Sequence, residues 1–417
     1  MTLRSADARG VRPLSLCRCA RLLFLGLAAA VLAGSALAQQ ADGKLGAIDL
    51  MTTKGCEEVK GEWRYAEVMV GVGPKNNDIE PKAHGAFDDS KWEVLKPETL
   101  KDARGPGKFS WCWYRIKVKV PEKVGDKAFT GGPVWFQTTV DDYGEIWVNG
   151  KIDTGKGRGA VAGFNTRNRV RLQVPDAETK KNRDPKPGDE IQIAVLGINS
   201  PLGNPPGNKI FLRAPTNLEF FTPDAKNGGA DTPAVVEPPA GKEVAKIDLL
   251  KADGVGLIKG VWRRHPITLH AGEKKNEIEP KAHGAFKDDD WEKVEDPALL
   301  TKAWGPGKLS MGWYRLKVTI PEKVGDVNVA GTSVWFRTTV DDYAEVWVNG
   351  KIDLSFGKGG RGAISGFNQP NEVLLTDNAK PGEEIQLAVL AINSPFGNPP
   401  GNQIFFRPTV LRFLEKK

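Results

Sequence analysis

The chain has 417 residues, 40% of them hydrophobic and 27% charged, which is enough apolar material for packed cores and too much for a disordered chain. Its 47 Gly and 29 Pro exclude an all-helical protein, because both residues interrupt helices and suit short strands joined by turns. The formal charge of +7 gathers at the start: residues 1–38 hold five Arg and one Asp, and the other 379 residues carry only +3, scattered among acids, which argues against a nucleic-acid-binding stripe.

In chain order the leader comes first. Arg4, Arg9, Arg12, Arg18 and Arg21 flank the apolar run LLFLGLAAAVL (22–32), and Ala36-Leu37-Ala38 has the A-x-A pattern that a signal peptidase accepts. Residues 1–38 therefore read as an export signal cleaved before Gln39, with the mature chain periplasmic or extracellular. An uncleaved anchor is the other reading, but the apolar run is short of the roughly 20 residues a bilayer span needs, so no membrane association is expected after cleavage. Cys17 and Cys19 leave with the signal. Cys56 and Cys112 remain in an oxidising compartment, where a disulfide between them is expected; two separate buried thiols is the alternative.

The rest of the chain is a duplication. VWFQTTVDDYGEIWVNGKID (134–153) recurs at 334–353 with 17 of 20 positions identical, IQIAVLGINSPLGNPPGNKIF (191–211) recurs at 385–405 with four changes, and IEPKAHGAF stands at 79–87 and at 278–286. The copies span 46–221 and 245–414, and residues 222–244, rich in Pro, Ala and Gly, read as a linker between two self-contained units. Cys56 aligns with Val255 and Cys112 with Gly312, so both cysteines are missing together from the second copy, as a bridge would produce.

Within each copy the apolar pattern has period two. WYRIKVKV (113–120), VWFQTTV (134–140), EIWVNGKI (145–152) and EIQIAVLGI (190–198) read as half-buried strands, and Asn149-Gly150 and Asn349-Gly350 read as tight hairpin turns. Only PETLKD (97–102), matched by PALLTK (297–302), looks helical, and it is short. The chain is expected to be all-β, with an antiparallel β-sandwich in each copy.

The series Phe87-Asp88-Asp89-Ser90-Lys91-Trp92, Trp113-Tyr114-Arg115, Val140-Asp141-Asp142-Tyr143 and Trp147-Val148-Asn149-Gly150 resembles the jelly-roll sugar-binding domain of family 2 glycoside hydrolases, a member of the galactose-binding-like superfamily. Phe286, Trp291, Trp313-Tyr314-Arg315, Asp341-Asp342-Tyr343 and Trp347-Val348-Asn349-Gly350 repeat the series. The wording of the repeat is closer still to the module that precedes the propeller in secreted gluconolactonase-like proteins, and the propeller itself has no counterpart in this sequence. The resemblance implies two tandem jelly rolls and a carbohydrate or polysaccharide ligand, with a secreted enzyme as a further partner.

Catalytic groups are scarce. The sequence holds no G-x-S-x-G, no H-E-x-x-H and no phosphate loop, and only His84 and His283 of its four histidines occupy equivalent positions. These two read as loop-ordering residues or as ligand contacts. Adjacent residues on a strand point to opposite faces, so Asp141-Asp142 and Asp341-Asp342 do not supply a glycosidase pair; they read either as structural residues ordering a neighbouring turn or, for Asp142 and Asp342, as contacts to sugar hydroxyls or calcium. No cofactor is expected, although oxygen-rich loops of such sandwiches can hold a structural calcium ion. Trp113, Trp135 and Trp147, in alternating strands, read as core. Trp304, where copy one has Arg104, reads as an exposed ring for stacking on a sugar. The loops NSPLGNPPGN (199–208) and NSPFGNPPGN (393–402) offer Asn204, Asn208, Asn398 and Asn402, and the Gly-rich stretches offer Asn165 and Asn368, although Asn, Gly and Pro are also ordinary turn residues. The leading expectation is a secreted, non-catalytic carbohydrate-binding protein. The alternatives are a structural or protein-interaction module, and an accessory or degenerate relative of a gluconolactonase-like hydrolase.

Overall fold

The computed structural model describes residues 43–68, 80–105, 110–141, 143–152, 167–199, 209–225, 241–267, 279–305, 310–341, 343–352, 370–393 and 403–415. The leader and most of the segment between the copies lie outside this set. Copy one opens with strand β1 (Lys44–Asp49) and helix α1 (Thr53–Glu58), whose first turn is capped by the Thr52 hydroxyl accepting from the Gly55 N–H at 3.1 Å. Then come β2 (Trp63–Val68), β3 (Glu93–Leu95), β4 (Ser110–Lys119), β5 (Val134–Asp141), β6 (Tyr143–Val148), β7 (Lys151–Ile152), β8 (Arg167–Leu172), β9 (Glu190–Asn199) and β10 (Phe211–Phe221). Copy two repeats the plan with β11 (Glu243–Asp248), helix α2 (Ala252–Leu257), β12 (Arg263–Ile267), β13 (Glu292–Lys293), β14 (Ser310–Thr319), β15 (Ser333–Thr338), β16 (Tyr343–Val348), β17 (Asn371–Thr376), β18 (Glu384–Asn393) and β19 (Val410–Leu414).

The pairings are antiparallel and stay within a copy. Copy one has a four-stranded sheet in the order β1-β10-β5-β8 and a six-stranded sheet in the order β3-β2-β4-β9-β6-β7. Copy two matches them with β11-β19-β15-β17 and β13-β12-β14-β18-β16. The chain is all-β and sandwich-like, as the period-two pattern requires. Tyr114, Ile116 and Val118 of β4 and Ile191, Ile193 and Val195 of β9 face inward, onto Phe136, Leu218 and Phe220 of the smaller sheet.

The opposite face of the larger sheet is buried too. Trp111 and Trp113 of β4, Ala194, Leu196 and Ile198 of β9, and Tyr143 and Trp147 of β6 share one apolar cluster with their equivalents in copy two. Tyr143 meets Tyr343 with ring centroids 5.1 Å apart. A residue touching its own equivalent is what a two-fold relation produces, so the copies meet as an isologous pair. The two copies, whose packing the sequence leaves open, thus lie in one compact body spanning Gly43–Lys417. The run Ala194–Ile198 is apolar at every position because both of its faces are covered, the pattern of a doubly buried strand. Trp113 and Trp147 are buried as expected, but between the copies rather than inside a sandwich.

The expected Cys56–Cys112 bridge is corrected as well: both residues are free, buried thiols. Each has its own partner. Cys56 Sγ donates to the Leu50 carbonyl at 3.4 Å, while Cys112 is hydrogen-bonded with Tyr114 and faces Gly197 across the β4–β9 ladder. Burial pushes the Cys56 thiol up to about 12, and Cys112 higher, so neither forms a reactive thiolate at neutral pH.

Candidate functional site

The site begins with one cation. Arg115 sits mid-strand in β4, on the face carrying Trp111 and Trp113, and is only 1% exposed. A buried guanidinium needs a counter-charge and acceptors. The loop 84–92 supplies them: Arg115 pairs with Asp89 and donates to the carbonyls of His84 and Phe87. Its guanidinium lies over the rings of Phe87 (5.5 Å) and Trp92 (5.6 Å). Arg64 of β2 adds bonds to the Asp89 and Ser90 carbonyls, both at 3.2 Å. Copy two builds the same lattice from Arg315, Asp288, the His283 and Phe286 carbonyls, Trp291 and Arg263.

This loop walls a cleft across the polar end of the larger sheet. In copy one the cleft is lined by Arg64, Phe87, Asp89, Lys117, Glu190 and Gln192 and encloses ≈ 430 Å³. In copy two Arg263, Phe286, Asp288, Lys317, Glu384 and Gln386 line a cleft of ≈ 550 Å³. Both volumes suit a small ligand or one or two sugar units, since binding clefts run from about 300 to 1,000 Å³. Gln192 is fixed from below: its backbone N–H donates to Asn149 Oδ1 at 2.9 Å, and its side-chain amide donates to the Ile116 and Ile193 carbonyls. At the mouth Lys117 pairs with Glu190 and Lys317 with Glu384, each at 2.7 Å. The bond from Lys117 holds the Glu190 carboxyl below its ordinary pKa, so it stays ionised and has no proton to donate at neutral pH.

The other candidates fall into three groups. Asp142, Asp342, Asn165, Asn368, Asn204, Asn208, Asn398 and Asn402 lie outside the described residues. His84 and His283 border the clefts, with their rings against the Asn149-Gly150 and Asn349-Gly350 turns; a Cβ on Gly150 (φ +76°) would stand 2.2 Å from His84 Nδ1, so the close approach needs glycine. Asp141 and Asp341 are buried and pair with Arg213 (2.9 Å) and Arg407 (3.3 Å).

Trp304 is not a free platform. Its ring meets Tyr314 edge-on at 5.6 Å, lies under Arg264 at 4.8 Å and packs on the copy-two core. Its room comes from Gly312, where a Cβ would come within 2.6 Å of the indole. In copy one the same space holds Cys112 and the pair Arg104 over Tyr65, at 5.4 Å. Aromatic and cation have therefore traded places between the copies. That exchange, not a bridge, explains why Cys112 is absent from copy two.

Sequence reasoning missed Arg115, Arg315, Asp89 and Asp288 as site-builders, and Glu145 and Glu345 as fully buried acids in the layer between the copies, where each accepts from its neighbouring Tyr143 or Tyr343 hydroxyl. The available signal was a charged residue recurring inside an otherwise apolar strand face. Among the described residues no group of three His, Cys, Asp or Glu could hold a metal ion.

No family model matches the chain, and no curated protein does. Solved structures similar to it include the Faecalibacterium prausnitzii beta-glucuronidase, at 18% identity over 43% of this chain and 33% of that one, TM-score 0.27. The Bacteroides uniformis beta-glucuronidase matches at 12% identity over 79% and 26%, TM-score 0.24, and a glycosyl hydrolase family 2 member from Bacteroides cellulosilyticus at 13% over 79% and 31%, TM-score 0.22. The chain spans about a third or less of the length of these enzymes. Identities this low leave activity and substrate to the chain's own residues.

Proposed function

We propose that the protein is an exported, non-catalytic carbohydrate-binding protein that uses one cleft per copy. The observation that carries this reading is the duplicated cleft itself: a phenylalanine ring flanked by Arg, Asp, Gln and a Lys–Glu pair, rebuilt residue for residue in the second copy. Sugars present apolar C–H faces and hydroxyls that both donate and accept, which such a mixture matches. The non-catalytic part is supported by the carboxylates: Asp89 and Asp288 are committed to buried guanidinium groups, and Glu190 is held ionised by Lys117. The leader supports export. Two weak sites on one body gain avidity on a polymer.

Glycan-array binding and affinity electrophoresis of the mature chain test this. Retention on polysaccharide is expected, weakened about tenfold by Phe87→Ala or Phe286→Ala and abolished when both are changed, with circular dichroism confirming the fold. Absence of retention across a broad panel, together with a co-purifying protein, would replace it with the protein-interaction reading. Lactone or glycoside hydrolysis by the pure protein would remove the non-catalytic part.

A further inference from the structure

On the outer face of the four-stranded sheet of copy one, three charges meet. Glu219 of β10 accepts from Lys44 of β1 at 2.5 Å and from Arg169 of β8 through Nε (2.9 Å) and Nη2 (2.8 Å). Burial alone would push the Glu219 carboxyl up, but the two cations outweigh it and hold it below its ordinary value. At the equivalent positions copy two has Glu243 on β11, Arg412 on β19 and Glu372 on β17, and Arg412 pairs with both acids. The order plus–minus–plus has become minus–plus–minus. Each triad is satisfied within its own sheet, and the central residues are largely buried: Glu219 at 11% and Arg412 at 16% side-chain exposure.

The two sheets share their strand order and the register shift after Lys44 and after Glu243, with VWF…TTVDD in both central strands, while the flanking strands keep the same pairing on more divergent sequences. Equivalent strands with the same pairing in one chain invite exchange, a strand of one copy taking its place in the sheet of the other. Every crossing of a triad-bearing strand meets like charge. β1 on β19 sets Lys44 beside Arg412, and β11 on β10 sets Glu243 beside Glu219. β8 on β15 brings Arg169 to Arg412 across that strand, and β17 on β5 brings Glu372 to Glu219.

We infer that the inverted triads are a pairing device: they make β1, β8 and β10, and β11, β17 and β19, select their own sheet and disfavour exchange of these strands between the two copies, within one chain or between chains. The attractive part alone would not do this, since two identical triads would be equally stable in native and exchanged sheets. Discrimination comes from the repulsive element in the wrong pairing, strongest where the facing groups are largely buried, as Arg169, Glu219, Glu372 and Arg412 are.

Refolding of the full mature chain from denaturant tests the inference. The first variant, Lys44→Glu with Arg169→Glu and Glu219→Arg, gives both copies the same triad while keeping each internally matched. The second adds Glu243→Lys, Glu372→Arg and Arg412→Glu, so that the signs again differ, now reversed. The fraction of chains failing to regain native near-ultraviolet dichroism and monomeric elution on size exclusion should rise at least threefold in the first variant and return to within about 1.5-fold of wild type in the second. Wild-type refolding by the first variant overturns the inference. So does poor refolding of both, which would mean that the positions matter for packing rather than for choice of partner.

Discussion

Copy one and copy two of this chain share their sheets, their cleft and their buried arginine, yet differ where three side chains must change together. Tyr65 and Arg104 become Arg264 and Trp304, with the cation still over the ring. Cys112 opposite Gly197 becomes Gly312 opposite Ala391, with Trp304 filling the space released. Lys44, Arg169 and Glu219 become Glu243, Glu372 and Arg412. Close packing makes volume and charge collective properties of a site, so after duplication such positions change as sets. A single differing residue, taken alone, misleads.

The largest test of the comparison is in the layer the copies share. Trp113→Ala and Trp313→Ala should each cost about 4 kcal/mol, the range for emptying a buried aromatic site. Each should shift one common unfolding transition in urea, because the layer belongs to both copies; two separated transitions would restore independent units. Next, Asp89→Ala and Asp288→Ala each leave a buried guanidinium without its counter-charge and should cost about 3 kcal/mol, equally in the two copies, by the same denaturation measurement. A marked inequality would mean that the lattices are not equivalent.

A smaller effect sharpens the difference between the copies. Gly312→Cys drives a side chain into Trp304 and should cost about 2 kcal/mol, whereas the set Arg264→Tyr, Trp304→Arg and Gly312→Cys, which rebuilds the copy-one arrangement, should recover most of it. The smallest concerns pH. His265 stacks on Trp291 at 5.3 Å, where copy one has Ala66. Burial and then Lys281 lower its pKa, partly offset by Asp290. The unfolded chain therefore binds this proton more readily than the folded one, and stability is lost as pH falls from about 6.5 through the lowered value. His265→Ala should remove that loss, seen as about 1 °C in the thermal midpoint between pH 7 and pH 5.

Much of the fold was legible. Strands β4, β5, β6 and β9 lie where alternation placed them, and Asn149 and Asn349 have the positive φ (49° and 48°) of the expected hairpin turns. The contact between the copies was not, because EIQIAVLGI reads as one more alternating strand, although the unbroken apolar run Ala194–Ile198 means two covered faces. The packing of Trp304 was hidden for a different reason: its partners, Arg264 and Gly312, lie on other strands and become visible only once the register is known. The cleft escaped because Arg115, within WYRIKV, looks like any outward-facing strand cation until the loop from His84 to Trp92 folds over it.

The tilted ring pair Tyr143–Tyr343 ties the two copies into one body. A hinge between the copies would let the two clefts approach any pair of sites on a partner. A shared aromatic seam instead fixes their spacing, turning two grips into a calliper. If the clefts take a polymer, as proposed, it is held at both jaws only where its repeat matches that span, so length becomes a basis for selection alongside chemistry.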